Sequence, residues 1–261
     1  MNGIGQWTLV SYLIETLGVA GTTAASLITV GGVLLCIVIP YLLGSVNFGV
    51  IISTKEFHDD VRTHGSGNAG ATNMLRTYGV KAAVLTMLGD MLKAVIAVGL
   101  GYLIVGVNAQ VVEENGLSYH MVDQFGAAIA GLFVMLGHMF PIFFKFKGGK
   151  GVATSAMVIL MISPIAFALC LLIFIIIVVG TKYVSLGSVM GLCLYPIILN
   201  AWSHAYDPPR NATACMLAVV MAVLVVFMHR ENLKRLWNGT ERKISLGKKS
   251  KAEGDAPAEK Q

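Results

Sequence analysis

The segment Lys147-Gly148-Gly149-Lys150-Gly151 contains the residues of this sequence that are most suited to chemistry. Its glycines permit a tight turn whose backbone N–H groups can converge on an anion, and its two lysines add positive charge. The segment lies between two apolar runs, residues 125–144 and 152–179, each of which is typical of a membrane protein. It therefore predicts a site for a phosphorylated molecule at the edge of a bilayer.

A second polar cluster covers residues 65–76, Gly-Ser-Gly-Asn-Ala-Gly-Ala-Thr-Asn-Met-Leu-Arg. Its glycines permit a turn, and Ser66, Asn68 and Asn73 add short hydrogen-bonding side chains. Arg76 offers a guanidinium fork for phosphate, and it shares a helix face with Asn73, three residues before it. The alternative is an ordinary glycine-rich loop with an arginine that only sets membrane topology.

Two smaller polar clusters follow along the chain. Ser185 lies in a short polar break, residues 181–186, which alone predicts no more than a turn. His229 and Asn232 come just after the last apolar run, and at positions i and i+3 they can point into one pocket. A lone histidine at the C-terminus of a helix is more often a favourable charge–dipole contact.

Composition fixes the class of protein. The 261 residues are 56% hydrophobic and 13% charged, with a mean hydropathy of +0.73, which is outside the range of soluble domains. Apolar runs of about 20 residues recur, and each is long enough to cross the bilayer as a helix. The sequence therefore predicts an all-α polytopic membrane protein. The net charge of +5 does not indicate nucleic-acid binding, because the basic residues flank the apolar runs.

Seven transmembrane helices are predicted, at residues 33–54, 80–106, 124–144, 152–162, 164–180, 184–201 and 212–229. The fourth and fifth come from dividing one apolar stretch at Ser163-Pro164, since proline ends or kinks a helix. Leaving that stretch whole, as one tilted helix, is the alternative. The sidedness of the loops decides between the two.

Loops 55–79 and 145–151 and the segment after Met228 carry the lysines and arginines, whereas loop 107–123 is acidic. By the positive-inside rule the basic segments are cytoplasmic. Lys145 and Arg230 share a side only if an even number of crossings separates them, and the division at Pro164 gives four. The N-terminus is then outside and the C-terminus inside. The fourth span is short for a full crossing, and a tilted partner or a re-entrant piece buried in protein is the alternative for it.

The remaining parts of the chain carry simpler predictions. Residues 1–32 are an N-terminal extension, with an extra interfacial helix as one interpretation, and residues 245–261 are a disordered cytoplasmic tail. The membrane domain is 33–244. Within it, Asp90 and Lys93 lie at i and i+3 in an apolar run, where a structural ion pair is favoured over a proton relay.

Several kinds of site are missing from the sequence. The turn at Lys150 is not a Walker A loop, because no Ser or Thr follows the lysine, so nucleotide hydrolysis is not supported. There is no Gly-x-Ser-x-Gly nucleophile elbow. None of the six histidines has an aspartate five residues later, and no His, Cys, Asp and Glu cluster is suited to a metal. The four cysteines are read as small buried apolar residues.

The motifs together resemble the bacterial acyl-phosphate:glycerol-3-phosphate acyltransferases of the PlsY type. The matching segments, in one order, are Gly44-Ser45-Val46-Asn47-Phe48-Gly49, 65–76, Gly137-His138-Met139-Phe140-Pro141, 146–154, Tyr183-Val184-Ser185-Leu186, and 229–236 with Gly239-Thr240-Glu241. The resemblance covers about residues 33–244. It departs at Asn47, where members commonly have proline, and in the extension 1–32.

The resemblance implies an integral membrane enzyme of the bacterial inner membrane, with seven spans and a cytoplasmic active site. It implies transfer of a fatty acyl group from acyl phosphate to the 1-hydroxyl of glycerol 3-phosphate, forming lysophosphatidic acid and phosphate in phospholipid synthesis. No cofactor, metal or nucleic acid is expected. Because acyl phosphate is already activated, the missing nucleophile elbow is explained.

Guided by the resemblance, we expect the catalytic residues to be Ser66, Arg76, Lys150 and His229. The expected substrate-binding residues are Asn68, Asn73, Gly148, Gly149, Ser185 and Asn232. Arg76, Lys150 and the N–H groups of the glycine turn hold phosphate, while His229 and Asn232 position the glycerol phosphate. Either His229 or a substrate phosphate takes the hydroxyl proton.

A transporter or flippase for phosphorylated solutes or lipids is the alternative function. Such proteins commonly show related repeats and polar residues near the middle of the membrane. No internal repeat is visible here, and the polar clusters gather on one face with only Asp90 and Lys93 deep in a span. These observations favour the enzyme.

Overall fold

Helices make up most of the computed structural model, which describes residues 8–105, 110–114, 117–121, 124–206 and 212–244. The helices are α1 (Leu9–Thr16), α2 (Thr23–Ser45), α3 (Phe48–Phe57), α4 (Ala71–Tyr78), α5 (Val80–Ile104), α6 (Phe125–Met139), α7 (Val152–Ile162), α8 (Pro164–Thr181), α9 (Val184–Tyr206), α10 (Ala212–Met228) and α11 (Arg230–Trp237). Two 3-10 helices cover Val61–Thr63 and Ile142–Phe144. The predicted helical class is confirmed.

A β-hairpin between α5 and α6 is the one addition to the predicted class within the described residues. Strand β1 (Gln110–Glu114) pairs antiparallel with β2 (Leu117–Met121), with Gln110 opposite Met121. The hairpin falls in the segment predicted as an acidic loop, whose Asp123 lies outside the described residues, as does the tail 245–261.

Five apolar segments are long enough to cross a bilayer, and a sixth is counted if α10 and α11, which meet at 59°, form one broken span. The five are Thr23–Phe57, Val80–Ile104, Phe125–Phe144, Pro164–Thr181 and Val184–Ala201. The 11 residues of α7 rise only about 16 Å, roughly half of a hydrocarbon core of about 30 Å. The chain is therefore a multi-pass membrane protein with five or six long spans. Of the predicted seven, the span at α7 is too short, and the span at α10 is counted only together with α11.

The first span begins at Thr23 rather than at residue 33, and it is interrupted before its end. The backbone leaves the helix at Val46, and Asn47 starts α3 by accepting a hydrogen bond from the Val50 N–H at 3.1 Å. An asparagine is a favourable cap because its side-chain oxygen replaces the missing helical acceptor. Within the extension, α1 packs Val10 against Gly32 of α2.

The predicted break at Ser163-Pro164 is confirmed, because α7 ends at Ile162 and α8 begins at Pro164. Ser163 caps the new helix by accepting a hydrogen bond from the Ala166 N–H at 3.3 Å. Proline is well suited to the first position of a helix, where its missing N–H costs nothing. The same two residues therefore end one helix and start the next.

Helix α6 lies at the centre of the fold and packs against α2, α5, α7 and α10. Its contacts with α2 are made by glycines: a Cβ added at Gly44 would collide with the Val134 carbonyl, and one added at Gly137 would collide with the Tyr41 carbonyl. Small residues allow such close approach between membrane helices, whose association depends on van der Waals packing. The position of α6 matters for the site, because its C-terminal end supports the glycine–lysine turn.

The α2–α6 contact predicts opposite outcomes for two substitutions in one helix. Gly44→Ala forces the helices apart and should lower stability by about 1–3 kcal/mol, whereas no described atom lies within 4 Å of a Cβ added at Gly31. Gly31→Ala is the matched control and should be neutral or mildly stabilising, because alanine favours helix. Thermal unfolding in detergent compares the two. Equal midpoints would show that the close approach is unimportant.

Candidate active site

All four polar clusters reach one cavity of about 510 Å³, which α4, α5, α7, α8, α9 and the segment after α10 enclose. One end of the cavity is polar, and its lining includes Ser66, Asn68, Arg76, Lys150, Ser185, His229, Asn232, Glu241 and Arg242. The rest is mostly apolar, with Asp90 and His138 as polar exceptions, and its lining includes Met87, Met91, Met157, Phe167, Leu171 and Phe174. Such a cavity suits a molecule with an anionic head and a hydrocarbon tail.

Asn73 holds the glycine-rich loop in place from inside. It is buried, its amide Nδ2 donates to the carbonyls of Val61 and His64 at 3.0 Å each, and its Oδ1 accepts the Ser66 N–H at 3.0 Å. These bonds occupy both ends of the side-chain amide. Asn73 thus orders the loop that presents Ser66 and Asn68. It also lines the cavity, and its contact with substrate stays a prediction.

The glycine–lysine turn is attached to the end of α6 through its N–H groups. Gly148 donates to the Met139 carbonyl at 3.2 Å, and Gly149 donates to the His138 carbonyl at 3.1 Å. Among the described lining residues, the turn contributes Lys150 and Gly151 but neither Gly148 nor Gly149. The N–H groups of these two glycines are therefore used within the fold, and their contact with phosphate stays a prediction.

Close packing against the end of α6 requires glycine at both positions. A Cβ at Gly148 would collide with the His138 carbonyl, and a Cβ at Gly149 would collide with the His138 imidazole. The turn then leads directly into α7, whose first turn is not capped by any side chain of the described chain. The positive end of the α7 dipole thus remains available beside Lys150.

Lys150 is half-buried and donates a hydrogen bond to Asn232 Oδ1. Burial lowers the pKa of Lys150 to about 8, and the positive charge of Arg235 adds to this effect while Glu241 opposes it. A low-dielectric environment disfavours an unpaired ammonium. An anion that enters the cavity would reverse this cost, so the site is arranged to attract negative charge.

His229 and Asn232 lie where α10 bends into α11, and both line the cavity. His229 is only 3% exposed, and its Nδ1 lies 2.8 Å from the Val225 carbonyl. Because a carbonyl oxygen only accepts hydrogen bonds, Nδ1 carries the proton and Nε2 of the neutral ring is a hydrogen-bond acceptor. The bend turns residues i and i+3 towards the same space.

Glu241 joins the segments at the polar end, although it was not predicted as a site residue. Its Oε1 accepts hydrogen bonds from Ser185 Oγ at 2.8 Å and Asn232 Nδ2 at 2.6 Å, and its Oε2 accepts from Arg235 Nε at 2.7 Å. Burial alone raises the pKa of Glu241, but the hydrogen bonds from Asn232, Arg235 and Ser185 outweigh it and hold the pKa below its ordinary value. The group is therefore a carboxylate at neutral pH.

The carboxylate sets the polarity of its neighbours, because it accepts hydrogen bonds and never donates them. The Ser185 hydroxyl proton is directed at Glu241, which leaves the lone pairs of the oxygen for the cavity. The Asn232 NH₂ group is also directed at Glu241, which leaves its oxygen for Lys150. The sequence did contain a signal for this site residue, because Glu241 is an isolated acidic residue directly before the basic residues Arg242 and Lys243.

Arg242 is the second lining residue that was not predicted. It is exposed on the segment after α11, and it faces Arg76 closely enough for their charges to interact. Partial burial lowers the pKa of Arg76, and the charge of Arg242 lowers it further. The segment is attached to the neighbouring helix pair, because the Ile244 N–H donates to the Lys182 carbonyl at 2.8 Å.

Asp90, Lys93 and His138 form a buried cluster beside the apolar part of the cavity. Lys93 Nζ lies 2.8 Å from Asp90 Oδ1 and 3.0 Å from His138 Nδ1, and it donates to the Val46 carbonyl at 2.7 Å. That carbonyl is at the break between α2 and α3. These contacts support a structural role for the Asp90–Lys93 pair. Lys93 donates to the Val46 carbonyl in place of the backbone N–H that a continuing helix would supply.

Comparisons with known proteins agree with the geometry. The family model described as glycerol-3-phosphate acyltransferase matches residues 34–239. A glycerol-3-phosphate acyltransferase of Clostridioides difficile (strain 630) is 40% identical over 212 residues, which cover 81% of this chain and 95% of the relative. That of Paraburkholderia phytofirmans (strain DSM 17436 / LMG 22146 / PsJN) is 41% identical over 219 residues, covering 84% and 94%.

Two solved structures of PlsY (YgiH), an integral membrane glycerol 3-phosphate acyltransferase, are also similar. Its glycerol 3-phosphate form has a TM-score of 0.65 and 34% identity, covering 82% of this chain and 96% of that one. Its lysophosphatidic acid form has a TM-score of 0.65 and 32% identity, covering 82% and 95%.

The internal bonds of Asn73 predict a stability difference between two asparagines of one loop. Asn73→Asp replaces a donor with an acceptor that faces two carbonyls, and it should cost about 1–3 kcal/mol or more for each unsatisfied buried group. Asn68→Asp is the matched control, because Asn68 lines the cavity and is only partly buried. Thermal unfolding should separate the two. If both variants unfold with the wild-type midpoint, Asn73 does not order the loop.

Proposed function

Because this chain belongs to the glycerol-3-phosphate acyltransferase family, we propose that acyl phosphate is its acyl donor and the 1-hydroxyl of glycerol 3-phosphate its acceptor. The products are then lysophosphatidic acid and inorganic phosphate. The observation that carries the proposal is the shared cavity, in which a cationic end continues into an apolar region. Both substrates have an anionic head, and one of them also has a hydrocarbon tail.

The charges in the cavity support binding of two phosphate groups at once. Arg76, Lys150 and Arg242 are cationic lining residues of the polar end, and Glu241 is the carboxylate among them. In our proposal Arg76 and Lys150 bind phosphate, with Arg242 as a further contact at the exposed side. Preorganised cations of this kind stabilise the negative charge that collects on a departing phosphate.

The reaction needs no covalent enzyme intermediate. The glycerol hydroxyl oxygen attacks the acyl carbon, the new ester bond forms, and the bond from the acyl carbon to the phosphate oxygen breaks with its electron pair leaving on phosphate. Two acceptors are available for the hydroxyl proton, His229 Nε2 and a phosphate oxygen. The bond from His229 Nδ1 to the Val225 carbonyl supports Nε2 as an acceptor of this proton.

Ser185 and Asn232 are proposed to position glycerol 3-phosphate. The Ser185 proton is held by Glu241, so Ser185 binds substrate as an acceptor and suits a hydroxyl rather than a phosphate oxygen. Asn232 directs Lys150. Ser66 and Asn68, which also line the cavity, offer short polar groups to the acyl phosphate. His229 completes the wall at the bend between α10 and α11.

The proposed topology has seven spans, with the N-terminus outside, the C-terminus inside and the active site on the cytoplasmic side of the bacterial inner membrane. Counting α7 and the broken pair α10–α11 with the five long spans gives this number. Two observations support this topology: the helix break at Ser163, and the basic residues of loops 55–79 and 145–151 and of the segment after Met228.

The proposal is tested with purified protein in detergent, labelled glycerol 3-phosphate, and acyl phosphate, acyl-CoA or acyl carrier protein as donor. We expect lysophosphatidic acid from acyl phosphate only. Lys150→Met should lower kcat by about 10²–10³-fold, as for loss of one oxyanion contact, while the protein remains folded. Product from acyl-CoA alone would overturn the donor, and full activity in Lys150→Met would overturn the role of Lys150.

The pKa of Lys150 predicts a pH dependence. The ammonium is charged below its pKa of about 8 and loses its charge as the pH rises through that value. The kcat/KM for glycerol 3-phosphate, which reports groups of the free enzyme, should therefore fall above pH 8.

Lys150→Arg provides the matched variant, because a guanidinium remains charged at every pH at which the protein is stable. Its activity should be lower, since the fork differs in shape from an ammonium, but the decline above pH 8 should disappear. Measuring kcat/KM on both sides of this pH distinguishes the two enzymes. If kcat/KM declines equally above this pH in the wild-type and Lys150→Arg enzymes, the decline comes from a group other than Lys150.

A further inference from the structure

Arg62 connects two segments that each form part of the cavity wall, one with Ser66 and one with Lys150, although it is not among the described residues that line the cavity. It lies in the 3-10 helix Val61–Thr63, just before the loop of Ser66. Its Nη1 donates to the Phe144 carbonyl at 2.9 Å and to the Lys147 carbonyl at 3.2 Å. Both carbonyls belong to the approach to the glycine–lysine turn.

Asp60 fixes the direction of the Arg62 guanidinium. Arg62 Nε donates to Asp60 Oδ1 at 3.0 Å and Nη2 donates to Oδ2 at 2.7 Å, which is a two-point contact. The side-chain hydrogen bonds from Arg62 hold the pKa of Asp60 below its ordinary value. Since the guanidinium is planar, this contact aims Nη1 away from Asp60 and towards the two carbonyls.

The backbone that Arg62 contacts has an unusual conformation. Lys145 and Phe146 both have positive φ angles, of 57° and 58°, in the left-handed region that residues with side chains rarely adopt. Such a conformation persists only where the surroundings hold it. The N–H of Phe146 is held by the Pro141 carbonyl at 2.9 Å, and the carbonyls on either side of the pair are held by Arg62.

The wall that contains Ser66 is attached to the same short 3-10 helix. Asn73 donates to the carbonyls of Val61 and His64, on either side of Arg62, and accepts the Ser66 N–H. The backbone of residues 61–64 is therefore fixed to the Ser66 loop, and the side chain of Arg62 extends from it to the Lys150 segment.

We propose that Arg62, oriented by Asp60, is a positioning residue that sets the separation of the Ser66 and Lys150 walls. It acts through the carbonyls of Phe144 and Lys147 and does not touch substrate. The catalytic part of this inference rests on the role of Lys150 in the proposed function. Its structural part stands independently, because the two carbonyls are contacted whatever the substrate is.

The test compares Arg62→Ala, Arg62→Lys and Asp60→Asn with the wild-type protein in detergent. Trypsin should cut after Lys145 and Lys147 several-fold faster in Arg62→Ala, because release of the carbonyls frees the turn. The kcat should fall by about 10–100-fold, the usual effect of a small misplacement of a catalytic group, and the KM for glycerol 3-phosphate should change less. Arg62→Lys should recover part of both properties.

Lys55→Gln is the control, because Lys55 is an exposed cation in the last turn of α3. It should match wild type in cleavage at Lys145 and Lys147 and in kcat. If Arg62→Ala does not fold, Asp60→Asn keeps the side chain of Arg62 and loosens only its orientation, and intermediate effects are then expected.

Cleavage and turnover separate the possible failures. Wild-type cleavage in a folded Arg62→Ala protein would overturn the proposal, whatever the activity. Faster cleavage with unchanged kcat would overturn the catalytic part, because the position of Lys150 would then not limit turnover. Absence of product from acyl phosphate in the wild-type protein would overturn the proposed donor. The cleavage comparison would still show whether Arg62 holds the segment of Phe144 and Lys147 in place.

Discussion

The buried carboxylate of Glu241 is the interaction on which the polar end of the cavity depends. It accepts hydrogen bonds from α9, through Ser185, and from α11, through Asn232 and Arg235. Without a negative group, the cations gathered around Lys150 would repel one another in a medium of low dielectric constant. The single negative charge of Glu241 reduces the repulsion among these cations, yet it leaves an excess of positive charge that can bind phosphate. The same carboxylate decides which atoms of Ser185 and Asn232 face the cavity.

Much of the fold could be predicted from the sequence, because lipid imposes a simple rule on composition. Apolar runs of sufficient length become helices, and Pro164 divides two of them as expected. The polar clusters were also informative. A membrane protein has few reasons to place Ser66, Lys150 and His229 at the ends of its spans, and the structure brings all three to one cavity. Local patterns also gave the bounds of the short α7, whereas the early start of α2 at Thr23 was not predicted.

Three predicted site residues also have a structural role that their residue type alone did not indicate. A glycine that allows an anion to approach and a glycine that allows a neighbouring helix to approach are identical in sequence, and Gly148 and Gly149 are of the second kind. Asn73 likewise has a side chain that is typical of ligand-binding residues, but its amide forms hydrogen bonds with three backbone groups. Glu241 was overlooked because its importance lies in a contact with Ser185, far away in the sequence.

The position of Glu241 along the chain has a consequence for biosynthesis. It follows α11, so it leaves the ribosome after every described apolar helix has been made. Until then Ser185 and Asn232 have no common acceptor, and Arg242 is not yet present. A partly inserted chain therefore holds an unfinished pocket, and the site is completed only after the helices around it have been synthesised.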